Sequence, residues 1–528
     1  MSKLWPSFRS FVRACARRLF TKETLLCALG LLSGSIFVMA RLPPLWRDYD
    51  GLGQIASPPG DLTLLASPHL YPFLSRLPVL FVSGLCNIGH PSSFHLGINR
   101  WVALNDAGLF LLIAIQQLLL VLALALLTVT CSRRPVIRCL IVVLLLCNPV
   151  LFVGAQFVSS EALGSTFLIF LIAVAVELSR REYLNRNCLL ALGFCLYAAI
   201  MTRHIAMIYA ALMPVTYLLA TIARVRNPEN RRTHFRKFLA TCGIGLIAIV
   251  AANLTTRVLC FALREPYRSV VARTAIYRFD LIDRMPAEDR DRYLQALQAS
   301  APDPITKEAI PAVLAAKEYW GGSMHVIEKL IERDNGKLKS AELHARADYY
   351  LSEICRLYYR SLPPVALADI QDAIVRSLIR TTPAEVLSFL YGVAEESPNI
   401  YRSIPNFRKS TAHLKSCSLE AQSTIRRAKS IWWLRGMGNN IPCGITLGVI
   451  VVLAVILRCF GAFKAESLHL LLTLGIVNAL TMISTFALTP YLPRYVLPTC
   501  VMIAAALAIF VAGINHRTLS LPSRIRPT

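Results

Sequence analysis

The chain has 528 residues, 55% of them hydrophobic and only 16% charged, a balance that excludes an ordinary soluble domain and a disordered polymer. Its formal net charge of +25 would point to nucleic acid in a soluble protein. Runs such as Gly108 to Cys131, however, reach the roughly 20 apolar residues that cross a bilayer, so Lys and Arg act as markers of sidedness and no nucleic-acid partner is expected.

The first residues, MSKLWPSFRSFVRACARRLF, are basic and lack a small-residue cleavage site after a short apolar core. They read as a cytoplasmic tail (1–22) followed by a signal anchor. Hydropathy predicts about ten transmembrane helices, at 23–41, 108–131, 136–154, 161–178, 188–202, 205–222, 238–262, 440–461, 467–488 and 495–514. The stretch around Thr202-Arg203-His204 is split in two because one continuous helix of its length would measure roughly 50 Å against a ~30 Å hydrocarbon core. Pro149 and Pro214 are expected to mark kinks. The 15 cysteines fall mostly in apolar runs (Cys131, Cys139, Cys147, Cys188, Cys195), where a thiol behaves as a small hydrophobe. They show neither metal-ligand spacing nor a disulfide framework.

The expected organisation is an N-terminal transmembrane module of about seven spans (23–263), an outer-face, mainly helical soluble insert (264–435), a C-terminal module of about three spans (436–514) and a cytoplasmic tail (515–528). Outside the insert there are 30 Lys and Arg, and 23 of these fall in the tails and the inward loops. That asymmetry places both termini in the cytoplasm of a multi-pass protein of the inner (plasma) membrane. The insert holds 26 Lys/Arg and 21 Asp/Glu and reads as amphipathic helices such as KEYWGGSMHVIEKLIERD. In the long, Pro-rich first outer loop (41–107), SPHLYPFLSRLPVLFVSGL is too apolar for a solvated loop and predicts short helices along the membrane interface. SIWWLRG (Ser430 to Gly436) reads as an interfacial anchor, where Trp prefers to sit.

With that sidedness, Asp48, Asp50, His69, Glu161, Arg203, His204, Arg257, Tyr491 and Arg494 all fall at outer helix ends or in outer loops. Ionisable groups at membrane depth are costly and face a cavity or a partner, which makes each a functional candidate. Each also has a plainer reading. Asp48 and Asp50 suit an interfacial turn with Gly51, Glu161 suits the first turn of a helix capped by Ser159 or Ser160, and Arg203, His204 and Arg494 suit snorkelling at helix ends.

Four stretches resemble integral membrane glycosyltransferases of the GT-C class, the polyprenyl-phosphate-sugar-dependent group that includes protein mannosyltransferases and aminoarabinose transferases. DYDGLGQIA (Asp48 to Ala56) resembles the acidic motif after the first span, and SPHLYPFLSRLP (Ser67 to Pro78) the His-Pro-Pro-Leu-type stretch that follows. SSEALGSTFLIFLIA (Ser159 to Ala173) resembles the Ser-Glu-x-Leu start of a mid-protein span, and TPYLPRYVLP (Thr489 to Pro498) the Arg-Tyr-x-x-Pro opening of a late one. The resemblance implies a GT-C-like all-α polytopic fold and inverting transfer of a sugar from a polyprenyl-phosphate lipid to a glycan, lipid or protein acceptor at the periplasmic face. Asp50 would be the catalytic general base, with Asp48 as assistant or alternative. Arg494, Arg203 and His204 would bind the donor phosphate. Glu161, His69 and Tyr491 would support the acceptor or a divalent cation, Mg or Mn. Two rival readings are a periplasmic polysaccharide ligase or polymerase, and a transporter or lipid flippase. The second expects internal repeats and mid-bilayer charges.

Overall fold

The computed structural model of the chain describes residues 19–46, 49–56, 70–85, 102–181, 183–223, 228–262, 276–316, 319–334, 340–400, 411, 414–415, 419–435 and 440–515. Within them the protein is helical apart from one two-residue strand pair and an isolated bridge between Phe463 and Ile514. It is a multi-pass membrane protein.

The first helix, α1 (Lys22–Arg41), starts where Thr21 accepts a hydrogen bond from the Thr24 amide at 3.2 Å. It leads into β1 (Leu45–Trp46) and a π-helical turn, Tyr49–Gly53. Helix α2 (Leu70–Leu85) packs on α3 (Asp106–Cys131) and exposes Phe73, Leu77, Phe81 and Leu85, in keeping with an apolar helix in the first outer loop. Helices α4 (Pro135–Leu146) and α5 (Pro149–Ala155) meet at a 64° bend. Pro149 causes it: its ring and missing N–H prevent α4 from continuing.

After β2 (Phe157–Val158) come α6 (Ser160–Ser179), α7 (Arg186–Thr202), a 3-10 turn (His204–Ala211), α8 (Leu212–Ala223) and the long α9 (Pro228–Ala262). Arg203 is extended (φ −150°, ψ 126°) between α7 and the 3-10 turn, so the expected break is present. Pro214 is tolerated in the first turn of α8.

Among the described residues, seven helices are long and apolar enough to cross a membrane, or eight if the bent pair is one span. Two of the ten expected spans, α7 and α17 (Cys443–Cys459), have only 17 residues, about 26 Å at 1.5 Å per residue. Both nevertheless run the depth of a full-length neighbour. α7 packs on α6 and ends with Arg203 beside Glu161. α17 packs on α19 (Leu497–Gly513), with Cys443 against Cys500 near one end and the Asn515 amide bonded to the Ala462 carbonyl at the other. Helix α18 (Ala465–Leu488) joins them.

The Lys/Arg-rich loops gather at one end, where their side chains also close helix C-termini. Arg180 donates to the Thr130 and Cys131 carbonyls, Lys237 to Arg181 and Lys464 to Ala512. Cations there suit the negative ends of the helix dipoles.

The segment between the membrane modules divides its apolar side chains between two cores. A 3-10 turn (Ile276–Arg284) and α10 (Ala287–Ala299), α11 (Pro304–Ala316), α12 (Tyr319–Asp334) and α13 (Ser340–Arg360) enclose their own cluster around Ile310, Val313, Val326, Leu351 and Tyr358. Beyond Ala366 the chain changes allegiance. Ala373 of α14 (Pro364–Val375), Val386 and Leu390 of α15 (Pro383–Ile400), Ile425 of α16 (Leu419–Ser430) and Leu434 join the core of the spans.

Gly444, at the start of α17, packs so closely on a π-helical turn (Arg376–Arg380) that a Cβ would strike the Leu378 carbonyl, whereas Gly448 one turn on has open space. Gly444→Ala is expected to destabilise the protein by about 1–3 kcal/mol through overpacking. Gly448→Ala should be neutral or stabilise by up to ~1 kcal/mol through helix propensity. Thermal unfolding of the full chain in detergent distinguishes them, and equal shifts would contradict the close approach.

Candidate functional site

The site begins with a problem of hydrogen bonding. Between α4 and α6 the backbone leaves the helical path, and at membrane depth each freed amide or carbonyl needs a protein partner. Three buried glutamines supply them. Gln116 donates to the Ala155 and Phe157 carbonyls at 3.0 and 3.2 Å, and Gln117 to Phe152 at 2.7 Å. Gln156 donates to Leu42 and Pro43 at 2.9 and 3.2 Å. The segment so held places β2 parallel to β1, with Leu45 opposite Phe157 and Trp46 opposite Val158.

This pairing juxtaposes the two acidic motifs. The turn carrying Asp50 follows β1, and a Cβ on Gly51 would collide with the Val158 carbonyl. Val158 lies three residues before Glu161, so the Asp50 backbone stands beside the N-terminus of α6. Only glycine permits that approach. Asp48 and His69 lie outside the described residues.

Glu161 occupies the first turn of α6, as its plainer reading expected, but its carboxylate also has two cationic partners. Oε1 lies 2.8 Å from Arg203 Nη1 and 3.7 Å from Arg494 Nη1. The three side chains are 11%, 22% and 9% exposed. Arg494 sits in a 3-10 turn (Pro493–Val496) that opens the last span. Tyr495 supports both guanidiniums: its ring lies 5.8 Å from Arg203 Cζ and 5.1 Å from Arg494 Cζ, and its hydroxyl accepts from Arg494 Nη2 at 3.3 Å. Such cation–π contacts strengthen when desolvated. Tyr71 of α2 is fully buried within electrostatic reach of Glu161, and its hydroxyl has no hydrogen-bond partner among the described residues.

Both guanidiniums converge on the Glu161 carboxylate, and groups of this geometry suit an oxyanion. The guanidiniums also oppose a metal cation at Glu161, and among the described residues no three His, Cys, Asp or Glu side chains converge to hold one. The pocket between Glu161, Arg203, Ala206, Tyr209 and Pro498 measures about 10 Å3, room for one water. A larger anion therefore reaches the cluster at its rim, where Arg203 is the more exposed guanidinium. A second, apolar groove of about 460 Å3 runs between α2, α3 and α6, lined by Leu77, Phe81, Ile115 and Leu163.

The structure brings together Glu161, Arg203 and Arg494 and sets the Asp50 backbone beside them. It assigns Tyr491 to different partners. Its hydroxyl bonds with Thr381 and donates to Glu385 Oε1 at 3.3 Å, and Arg376 lies 4.4 Å over its ring and 3.5 Å from Glu385. Burial, the largest influence, holds the Tyr491 phenol above its ordinary range, so it remains a neutral donor at physiological pH. His204 opens the 3-10 turn after Arg203, and Arg257 is exposed near the end of α9.

Sequence reasoning missed Tyr71 and Tyr495, although both lie inside quoted motifs. It also missed Arg278. This fully buried side chain pairs with Asp369 at 2.9 Å and donates to the Phe486 and Thr489 carbonyls, the latter at 2.6 Å. It thereby ties α14 to the loop that carries Tyr491 and Arg494.

No family model matches the chain, and no curated protein matches it. Among solved structures it is similar to ArnT from Cupriavidus metallidurans bound to undecaprenyl phosphate, with a TM-score of 0.33, 11% identity, and coverage of 92% of this chain and 77% of that one. The apo state of the same protein gives a TM-score of 0.30, again at 11% identity, over 92% and 76% of the two chains. A likeness of this degree carries no argument about activity.

Glu161→Gln should leave two neighbouring guanidiniums uncompensated and cost on the order of 3–5 kcal/mol. Replacing Arg203 by Met in the same chain should recover part of that loss. Unfolding temperatures of the single and double variants measure the coupling, and additive losses would show that the three groups do not interact.

Proposed function

We propose that this protein is a membrane glycosyltransferase that moves a hexosyl or pentosyl unit from a polyprenyl-phosphate-linked donor to an acceptor hydroxyl, with inversion, at the face carrying Glu161, Arg203 and Arg494. The observation that carries this reading is the convergence of two largely buried guanidiniums on the Glu161 carboxylate, at the end of three membrane helices. Such a site stabilises an anion that arrives from the bilayer, and a phosphate offers guanidinium its best geometry. The basic loops at the opposite end support a cytoplasmic position for that end and a periplasmic one for the site. The apolar groove of α2, α3 and α6 suits a lipid tail, and Leu163 on its wall lies two residues from Glu161.

In this reading the acceptor oxygen attacks the anomeric carbon as the bond to the phosphate oxygen breaks. The acceptor proton goes to a carboxylate, Asp50 or its neighbour Asp48, and the leaving polyprenyl phosphate keeps the bonding pair. Arg203 and Arg494 bind the charge that develops on it. Glu161 holds the two guanidiniums apart from solvent and fixes their direction, so little reorganisation is needed as charge develops. The position of the charged cluster at helix ends, away from the middle of the spans, favours transfer chemistry over a transporter's midplane path.

Transfer from a labelled polyprenyl-phosphate sugar, assayed with the purified full chain in lipid, tests this. Asp50→Asn should lower kcat by at least roughly 100-fold without altering expression. Arg494→Ala should chiefly weaken donor use. Unchanged transfer in both Asp48→Asn and Asp50→Asn overturns the general-base assignment, and absence of transfer from any polyprenyl-phosphate sugar overturns the reading.

A further inference from the structure

The segment SIWWLRG does two things. Trp433 ties the segment to the helices: its Nε1 donates to the Leu146 carbonyl at 2.9 Å, and its ring packs edge-on to Phe37 at 5.4 Å and against Phe152 at 6.1 Å. Trp432 faces away from the spans and is 63% exposed. It stands at a cavity of about 650 Å3 between α15, α16 and the chain returning to the membrane, whose lining includes Glu385, Tyr391, Lys429, Arg435 and Asn440. That size lies within the ~300–1,000 Å3 of small-molecule sites.

We infer that this cavity binds a saccharide bearing an anionic group. A broad, rigid indole face exposed beside amide, hydroxyl and carboxylate groups suits a pyranose, which presents an apolar C–H face and hydroxyls around its edge. The charges specify the rest. Lys429 is paired with Glu395 at 2.8 Å and Glu385 with Arg376 at 3.5 Å. Arg435 has no side-chain partner among the described residues. The lining thus offers one uncompensated guanidinium, which prefers phosphate or carboxylate.

The cavity is also connected to the charged cluster. Helix α15, its wall, packs on β1 ahead of Asp50 and on the 3-10 turn that holds Arg494. Glu385 lines the cavity and accepts from Tyr491, three residues before Arg494. Binding stands on these observations alone. That the bound saccharide is the acceptor, or the portion of the acceptor away from the reacting hydroxyl, rests on the transferase reading above.

Saturation-transfer NMR on the full chain in detergent tests the inference with glucose 1-phosphate and glucose as probes and inorganic phosphate as a competitor. The wild type should saturate the ring protons of the sugar phosphate, with affinity falling in the order sugar phosphate, sugar, phosphate. Trp432→Ala should weaken sugar-phosphate binding by roughly tenfold or more, and Trp432→Tyr should restore most of it. Arg435→Gln should remove the preference for sugar phosphate over glucose while glucose binding persists, which a misfolded variant could not do. No binding by the wild type, equal binding by Trp432→Ala, or phosphate alone binding as tightly as the sugar phosphate would overturn the inference. Asp50→Asn should bind the probe as the wild type does, so loss of transfer and loss of this site are read separately. A wild-type protein that binds the probe but transfers no sugar refutes the transferase reading alone.

Discussion

The architecture turns on the need to satisfy a stretch of non-helical backbone inside a membrane protein. Water cannot do it at that depth, and an unpaired amide or carbonyl there costs several kcal/mol. Gln116, Gln117 and Gln156 supply the missing partners, and their placement determines where the bent α4–α5 segment ends. From that follow the β1–β2 pair, the close approach at Gly51 and the setting of Glu161 in the first turn of α6. A short run of irregular chain, held by three amide side chains, thus becomes a ledge on which two acidic motifs distant in sequence stand side by side.

The charges on this ledge are arranged by the same economy. A lone arginine as buried as Arg494 would be prohibitively desolvated, so it shares Glu161 with Arg203 and lies against Tyr495. The loop that presents Arg494 is itself held by Arg278, which satisfies carbonyls at the end of α18 and pairs with Asp369. The segment between the modules is therefore part of the scaffold of the site, reaching it through α14 and α15.

The membrane made much of this legible from residue order. Apolar run length and Lys/Arg placement announce the spans, because the bilayer punishes departures from both. The interruption at Arg203 and the bend at Pro149 follow from chain length and proline geometry. Glu161, Arg203 and Arg494 could be grouped because sidedness alone puts them at one end. The partners of Tyr491 could not, since Glu385 and Arg376 come from a segment whose fold no periodicity aligns with a span. The same holds for residues 366–435, where amphipathic helices read alike whether they cover a separate core or seal the mouth of a bundle. The two Trp residues at 432 and 433 were read as one anchor, and only the three-dimensional path of the chain gives them opposite duties.

The membership of the charged cluster has a consequence for biosynthesis. Glu161 and Arg203 emerge from the ribosome close together and form a balanced pair, which the bilayer tolerates far better than either charge alone. Arg494 belongs to the last span and comes after the whole intervening segment has been made. The second guanidinium therefore joins only after that segment has been made, with Glu161 already in place for it. Until then the chain holds a single salt bridge, and the second guanidinium joins it late.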